Sequence, residues 1–489
     1  MIDAEGIEPA ITIGKVIVGQ LYHSLSISNL QYLPCAIVGV STIGTIAFVE
    51  STTINSPTAI EALLSTLQQQ WQFDSSVVTR LSSTQFIVPG FVDTHIHAPQ
   101  YVFTGTGYDL TLLEWLEKYT FPREAAFNQP EYALDSYQKV VRKTLRHGTT
   151  TACYFATTHL DAAKTLTNVI HTAGQRAFVG KVNMDRNSPD YYVETMDESL
   201  QATMEIVGYI QDTIKSSLIT PVITPRFVPT CTSDLMQKLG SLAAKHNLPI
   251  QSHLSETPGE IQWVKELHPD CQTYSDVYDR HGLFTSKTIM AHCVHLNQHE
   301  RDLLKAREVG ISHCPSSNFC LHSGVFNLRR LVNEGHSKIG LGTDVAGGYS
   351  SSLMDAMRQA IIASKVIHVN SREEAAARVK SNSTGGKEVD TTVYEPLTFS
   401  EAFYLATLGG AKVMALEHTI GNFMPGKSFD ALLIDTASPI PGVESGMDIF
   451  AHDDAMSIFE KFIYLGDDRN IVTVFVQGHV VSTRLPLQD

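Results

Sequence analysis

The stretch "VDTHIHAPQ", residues 92–100, places two imidazoles, His95 and His97, one residue apart, with an aspartate two residues ahead of them. In an extended strand, residues i and i+2 point to the same face, so both rings would reach one metal ion. HxH alone is weak evidence for a ligand pair. Two further histidines strengthen it: His253 in "SHLSE" and His292 in "MAHCV" each close a short apolar run. One such histidine is ordinarily a satisfied core or surface residue. Four at strand ends are hard to explain that way, because each buried imidazole needs its own hydrogen-bond partner. Asp344 in "GLGTDVAGG" adds a carboxylate that is costly to bury unless a cation or hydrogen bonds compensate. The set predicts a metal centre of His95, His97, His253, His292 and Asp344, suited to zinc and open to iron or manganese. His295 reads as the start of the next loop, and His313 as a pocket residue. Glu256 follows His253 by three positions. A loop glutamate is usually just solvated, but beside a metal centre it would move protons as a general acid and base.

These residues need elements that bring them together from across 250 positions. Eight short apolar runs lie between "FVDTHIH" and "KIGLGTD", with helical pieces such as "QPEYALDSYQKVVRKTLRHG" and "DLMQKLGSLAAKHN" between many of them. Strands alternating with helices mean βα units and a parallel sheet. Eight of them predict an α/β fold of the closed (β/α)8 TIM-type barrel kind rather than an open doubly wound sheet. The polar residues fall near the C-terminal ends of the runs, and in such a barrel those ends share one face. The flanks, 1–88 and 420–489, read as short strands and should pair into a small β-sandwich-like domain beside the catalytic barrel, 89–419. The polar stretch 371–396 reads as an excursion or mobile loop.

The chain has 489 residues, 43% of them hydrophobic and 18% charged, with a formal charge of −15. A large buried core is expected, and a nucleic-acid surface is opposed by the charge. The sequence holds seven scattered cysteines and no CxxC pair, so reduced thiols in the cytoplasm are expected. No secretory signal is visible at the start, and no apolar stretch approaches the ~18 residues of a spanning helix, so no membrane partner is expected. There is no PCxxC, so the zinc deaminase design with cysteine ligands does not apply.

"PGFVDTHIH", "SHLSE", "MAHCV" and "GLGTDVAGGYS", in this order, resemble the amidohydrolase superfamily of metal-dependent deaminases and hydrolases. "HAPQY", "LLEWLEKYTFPRE", "TPRFVPTCT", "HCPSSN" and "GLGTDVAGGYSSSLMDAMR" resemble segments of its members that act on guanine. Together these cover roughly 89–360, and "PGKSFDALLID" resembles the return to the small domain. The resemblance implies hydrolytic deamination of guanine to xanthine and ammonia, with one Zn2+ per subunit and a homodimer. It implies zinc ligands at His95, His97, His253, His292 and Asp344, a proton shuttle at Glu256, and help from Asp344 in deprotonating the attacking water. Gln100, Arg226 and Phe227 match positions that hold the purine, with His253, Glu256 and Asp344 also at the substrate. Their chemistry fits: Phe227 offers a flat wall, Gln100 a donor and an acceptor, Arg226 donors for a carbonyl. Arg226 could otherwise be a structural ion pair. The family often has Gly after the "AH" histidine, where this chain has Cys293, which leaves the local turn open. Rival readings are a deaminase of another cyclic amidine or aminopurine, which would change Gln100 and the Arg226–Phe227 pair, and a non-catalytic scaffold, which should have lost a ligand.

Overall fold

The computed structural model describes residues 11–52, 56–381, 394–437 and 443–484. The strands, in chain order, are β1 (Ile13–Ser26), β2 (Asn29–Ser41), β3 (Ile46–Ser51), β4 (Val78–Arg80), β5 (Gln85–Pro89), β6 (Phe91–His97), β7 (Thr149–Phe155), β8 (Arg176–Gly180) and β9 (Val182–Asn183). They continue with β10 (Ile219–Pro221), β11 (Thr224–Pro225), β12 (Ile250–Leu254), β13 (Thr288–His292), β14 (Gly310–His313), β15 (Ile339–Leu341), β16 (Ala431–Asp435), β17 (Ile471–Val476) and β18 (His479–Thr483). The chain divides into two compact units, Met1–Gly90 with Glu417–Asp489, and Phe91–Leu416.

In the first unit hydrogen bonding runs through a single mixed sheet, in the order β18-β17-β16-β5-β1-β2-β3 with β4 also on β1. The sandwich-like pairing expected from the sequence is, in its hydrogen bonds, this one sheet. Its central strands carry buried residues on both faces, and the side-chain period of two sorts them. Ile17, Ala36 and Val38 join one core cluster with Phe429 and Phe475. Val16, Val18 and Ile37 join another with Leu64 and Leu67 of the helix Pro57–Trp71. That helix begins at Ser56, whose hydroxyl accepts the Ala59 N–H, and ends where Gln72 turns left-handed at φ 52°.

Among the described residues of the second unit every strand pair is parallel: β10-β8-β7-β6, β11-β9 and β12-β13-β14-β15. A parallel bridge joins Ile223 to Ile250, beside the β12 end of the second four-stranded sheet. At the opposite edge, Asp344 N–H donates to the His95 carbonyl at 2.9 Å and His97 N–H to the Val345 carbonyl at 3.0 Å. Helices fill the connections, among them Pro130–Arg146, Leu160–Ala173 and Ser233–His246. Reciprocal capping pairs start several of them: Thr195 with Glu198, Thr257 with Glu260, Asn297 with Glu300.

The expectation for 371–396 is corrected in part. Residues 371–381 continue the helix Leu353–Ser381, and 382–393 lie outside the described residues. "SREEAAARVKS" is polar, which suggested a loop, but Glu, Ala, Arg and Lys are also good helix formers. Among the described residues, no helix is long and apolar enough to cross a membrane.

Candidate active site

The histidines meet where parallel strands end. β6 is buried along its whole length and finishes at His97, β13 finishes at His292, and His253 is the penultimate residue of β12. Asp344 follows β15 by three positions. Ligand atoms of His95, His97, His253 and Asp344 all lie within 4.8 Å of one another. His97 Nε2 is 3.1 Å from His253 Nε2, and Asp344 Oδ1 is 3.0 Å from His95 Nε2 and 3.5 Å from His97 Nε2. The His253 Nδ1–H donates to the Arg226 carbonyl at 2.7 Å, which leaves the Nε2 lone pair for the centre of the group.

His292, expected as a fifth ligand, is not part of this group. Its Nε2 faces Glu256 Oε2 at 3.4 Å and Asp344 Oδ2 at 3.7 Å, and its Nδ1–H donates to Asn318 Oδ1 at 2.9 Å. The strand end carries the ring to the edge of the group, between the Glu256 and Asp344 carboxylates. Glu256 is buried beside it and accepts the Ser323 hydroxyl at 2.9 Å.

Burial dominates the electrostatics. It pushes His97 and His253 well below the usual imidazole range, and lowers His95 against the pull of Asp344. These three rings are therefore neutral, with lone pairs free to bind a cation. Burial would also lower His292, but Glu256 and Asp344 outweigh it and its pKa is raised. Burial would raise Asp344, but the surrounding histidines, His95 first, hold it well below the usual carboxylate range. Glu256 is pushed up to about 7, mainly by burial. Three neutral imidazoles, one ionised carboxylate and a buried His95 Nε2 that faces the group without a hydrogen-bond partner suit a divalent cation such as zinc. A buried carboxylate with its proton near neutral pH suits acid–base work beside it.

The pocket beside this group is lined by Gln100, Trp115, Leu116, Arg226, Phe227 and Leu321 along with His97, Glu256, His292 and Asp344. Gln100, Arg226 and Phe227 thus converge with the metal-capable group, although Gln100 stands more than 100 positions before the Arg226–Phe227 pair in the chain. Leu116 and Trp115 belong to the segment quoted for the resemblance, and with Phe227 they supply flat apolar walls. His313 is buried against Phe326, and burial pushes it down to about 3.

Sequence reading missed two buried acids. Glu124 receives the amide of Gln100, the guanidinium of Arg226 and the hydroxyl of Tyr192. The structural reading of Arg226 as an ion pair is therefore also met, at 2.7 Å. Asp93, noticed ahead of the histidines but given no role, accepts the N–H groups of His95 and Thr343 and the Thr343 hydroxyl at 2.6 Å. It ties β6 to the segment carrying Asp344. Burial nonetheless pushes it up to about 7. Its place in "VDTHIH" was the available signal for Asp93; Glu124 offered only its position in a quoted segment.

Four residues here adopt left-handed backbone: Ser255 at φ 49°, His292 at 69°, Cys293 at 54° and Asp344 at 47°. Such conformations are strained for side chains other than glycine and gather at functional sites. They turn the chain sharply at the strand ends. Cys293 occupies the conformation that glycine, usual at this position in the family, adopts without strain.

The profile of the Amidohydrolase family matches residues 86–481. The guanine deaminase of Dictyostelium discoideum is 43% identical over 469 residues, covering 96% of this chain and 98% of that protein. The guanine deaminase of Homo sapiens is 41% identical over 465 residues, covering 95% of each. A crystal structure of guanine deaminase from C. acetobutylicum, with guanine bound in its active site, is 36% identical with a TM-score of 0.80, over 95% of this chain and 99% of that one.

Proposed function

This chain belongs to the amidohydrolase family, and from that premise we infer how its site works. It is a hydrolase acting on a C–N bond: it deaminates guanine, adding water at C2 and releasing ammonia and xanthine. The observation that carries the reading is one pocket in which a His/Asp metal group, a protonatable Glu256 and the Gln100–Arg226–Phe227 trio meet.

We assign the metal to His95, His97, His253 and Asp344, as one Zn2+ per subunit; the donor set of three imidazoles and one carboxylate supports it. A zinc ion held there supplies Lewis acidity and makes water acidic enough to attack near neutral pH. Glu256, with its carboxyl near half-protonated at neutrality, delivers a proton to the ring nitrogen beside C2 and later to the departing amino group. Asp344, a carboxylate at the outset, accepts the first proton of the attacking water; the remaining proton of the added hydroxyl recharges Glu256 before the amino group departs as ammonia, and Asp344 then returns its proton to Glu256. His292 holds the Glu256 and Asp344 carboxylates in register. Phe227 forms a flat wall for the purine, Arg226 holds the carbonyl at C6, and Gln100 pairs with the lactam edge.

We further propose that Phe91–Leu416 is a closed (β/α)8 barrel, in sequence terms a catalytic domain over 89–419 with a small β domain of 1–88 and 420–489. The Ile223–Ile250 bridge and the bonds from β6 to the Asp344 segment support closure. A homodimer in the cytoplasm is the arrangement we propose, supported by the resemblance and, for the cytoplasm, by the lack of a disulfide among the described residues.

The test is direct. Purified protein is incubated with guanine and xanthine is followed by absorbance, with adenine, cytosine and guanosine in parallel and a chelator-treated control. Chelator-sensitive turnover of guanine alone is expected. Turnover of another base instead would overturn the roles given to Gln100 and Arg226.

A further inference from the structure

The Glu124 carboxylate is fully buried and takes four hydrogen bonds from three side chains. Gln100 Nε2 donates to Oε1 at 2.9 Å and the Tyr192 hydroxyl to Oε2 at 2.7 Å. Arg226 donates from Nη1 to Oε2 at 2.7 Å and from Nη2 to Oε1 at 3.2 Å. Two of these donors, Gln100 and Arg226, line the pocket; Glu124 and Tyr192 stand behind them.

A carboxylate only accepts, so it draws the amide NH2 of Gln100 toward itself. The amide oxygen then faces the other way, where it accepts the Ala346 N–H at 3.1 Å. Both ends of the amide are thus assigned by their partners, and it cannot flip without losing two bonds. The same carboxylate grips Arg226 fork to fork. That pairing uses two of the five guanidinium donors and fixes the plane that holds the others. The Phe121 ring supports the guanidinium from 5.4 Å.

We propose that Glu124 is a positioning residue that sets purine specificity, an inference that rests on guanine being the substrate. By fixing the Gln100 amide and the Arg226 plane together, it makes the pocket require a carbonyl at C6 and an N–H at N1. Tyr192 completes the clamp from outside the pocket. A buried site built to bond a substrate's polar edge rejects an analogue lacking that edge, because its own groups are left unpaired.

The holoenzyme carrying Glu124→Gln tests this, with guanine and 2-aminopurine as substrates. 2-Aminopurine keeps the reacting amino group but lacks the C6 carbonyl and N1–H. Glutamine keeps the shape of Glu124 and sets an NH2 against donors. The variant is expected to hold its metal, to raise KM for guanine more than it lowers kcat, and to narrow the guanine preference by about tenfold or more. If the two substrates lose activity equally, or the preference is unchanged, Glu124 only supports the fold and the proposal fails. Should this variant not fold, Tyr192→Phe decides: it removes one bond to Glu124 without touching the pocket lining, and a narrowing of about threefold is expected. An unchanged preference in Tyr192→Phe would then overturn the proposal. Wild-type protein inactive on guanine would instead signal failure of the substrate reading itself.

Discussion

Replacing Glu256 with glutamine keeps the side chain's shape and removes its titration. Glu256→Gln should retain metal and lose turnover by about a hundredfold or more, as proton-transfer groups do; metal analysis beside the guanine assay checks it. His292→Ala separates ligand from neighbour: metal content should stay at the wild-type level while turnover falls, whereas His97→Ala should lose both. A metal-poor His292→Ala protein would restore His292 to the ligand set. The buried Glu256 also makes a stability prediction for metal-free protein. Its folded pKa of about 7 lies above the ordinary 4.5, so the folded chain binds more protons than the unfolded one between those values. Its contribution is therefore favourable below about pH 4.5 and is lost as pH rises through 7. Relative to Glu256→Gln, the wild-type melting temperature should fall between pH 5 and pH 8; parallel curves would contradict the burial effect. The histidines and Asp344 were legible in the sequence because each closes a buried-strand pattern, where a polar residue is conspicuous. Glu124 was not, since its partners stand 24, 68 and 102 positions away and only the fold joins them.

At the scale of elements, strand ends matter most. The sequence marked the βα alternation and the helices near 130–146 and 233–246, because their periodicity and caps are local. It did not mark the backbone turns that aim the side chains. Cys293 shows why: its left-handed φ depends on the meeting of β12 and β13, with its N–H bonded to the Leu254 carbonyl at 2.9 Å. Cys293→Gly should keep metal and activity, since glycine takes this conformation freely. Cys293→Val should destabilise by about 2 kcal/mol, because a β-branched side chain resists positive φ. Thermal melts and metal content of the two variants decide the matter, and equal stabilities would contradict the turn. The helix through 371–381 shows the opposite failure, in which polar composition concealed good helix formers.

For the whole molecule, the metal group should act as a staple. His95, His97, His253 and Asp344 come from two strands, β6 and β12, and from the segment after β15. A ligand that binds only the folded chain stabilises it by about 4 kcal/mol at a thousandfold excess over Kd. Chelation should lower the melting temperature and zinc should restore it, with neither effect in His97→Ala. The same titration, read by turnover, tests the central claim most directly: metal-free protein is titrated with zinc while guanine conversion to xanthine is followed. Activity should be absent at the start, rise linearly and level off at one zinc per chain. Full activity before any zinc is added, or saturation only well beyond one equivalent, would contradict a single catalytic metal held by these four residues.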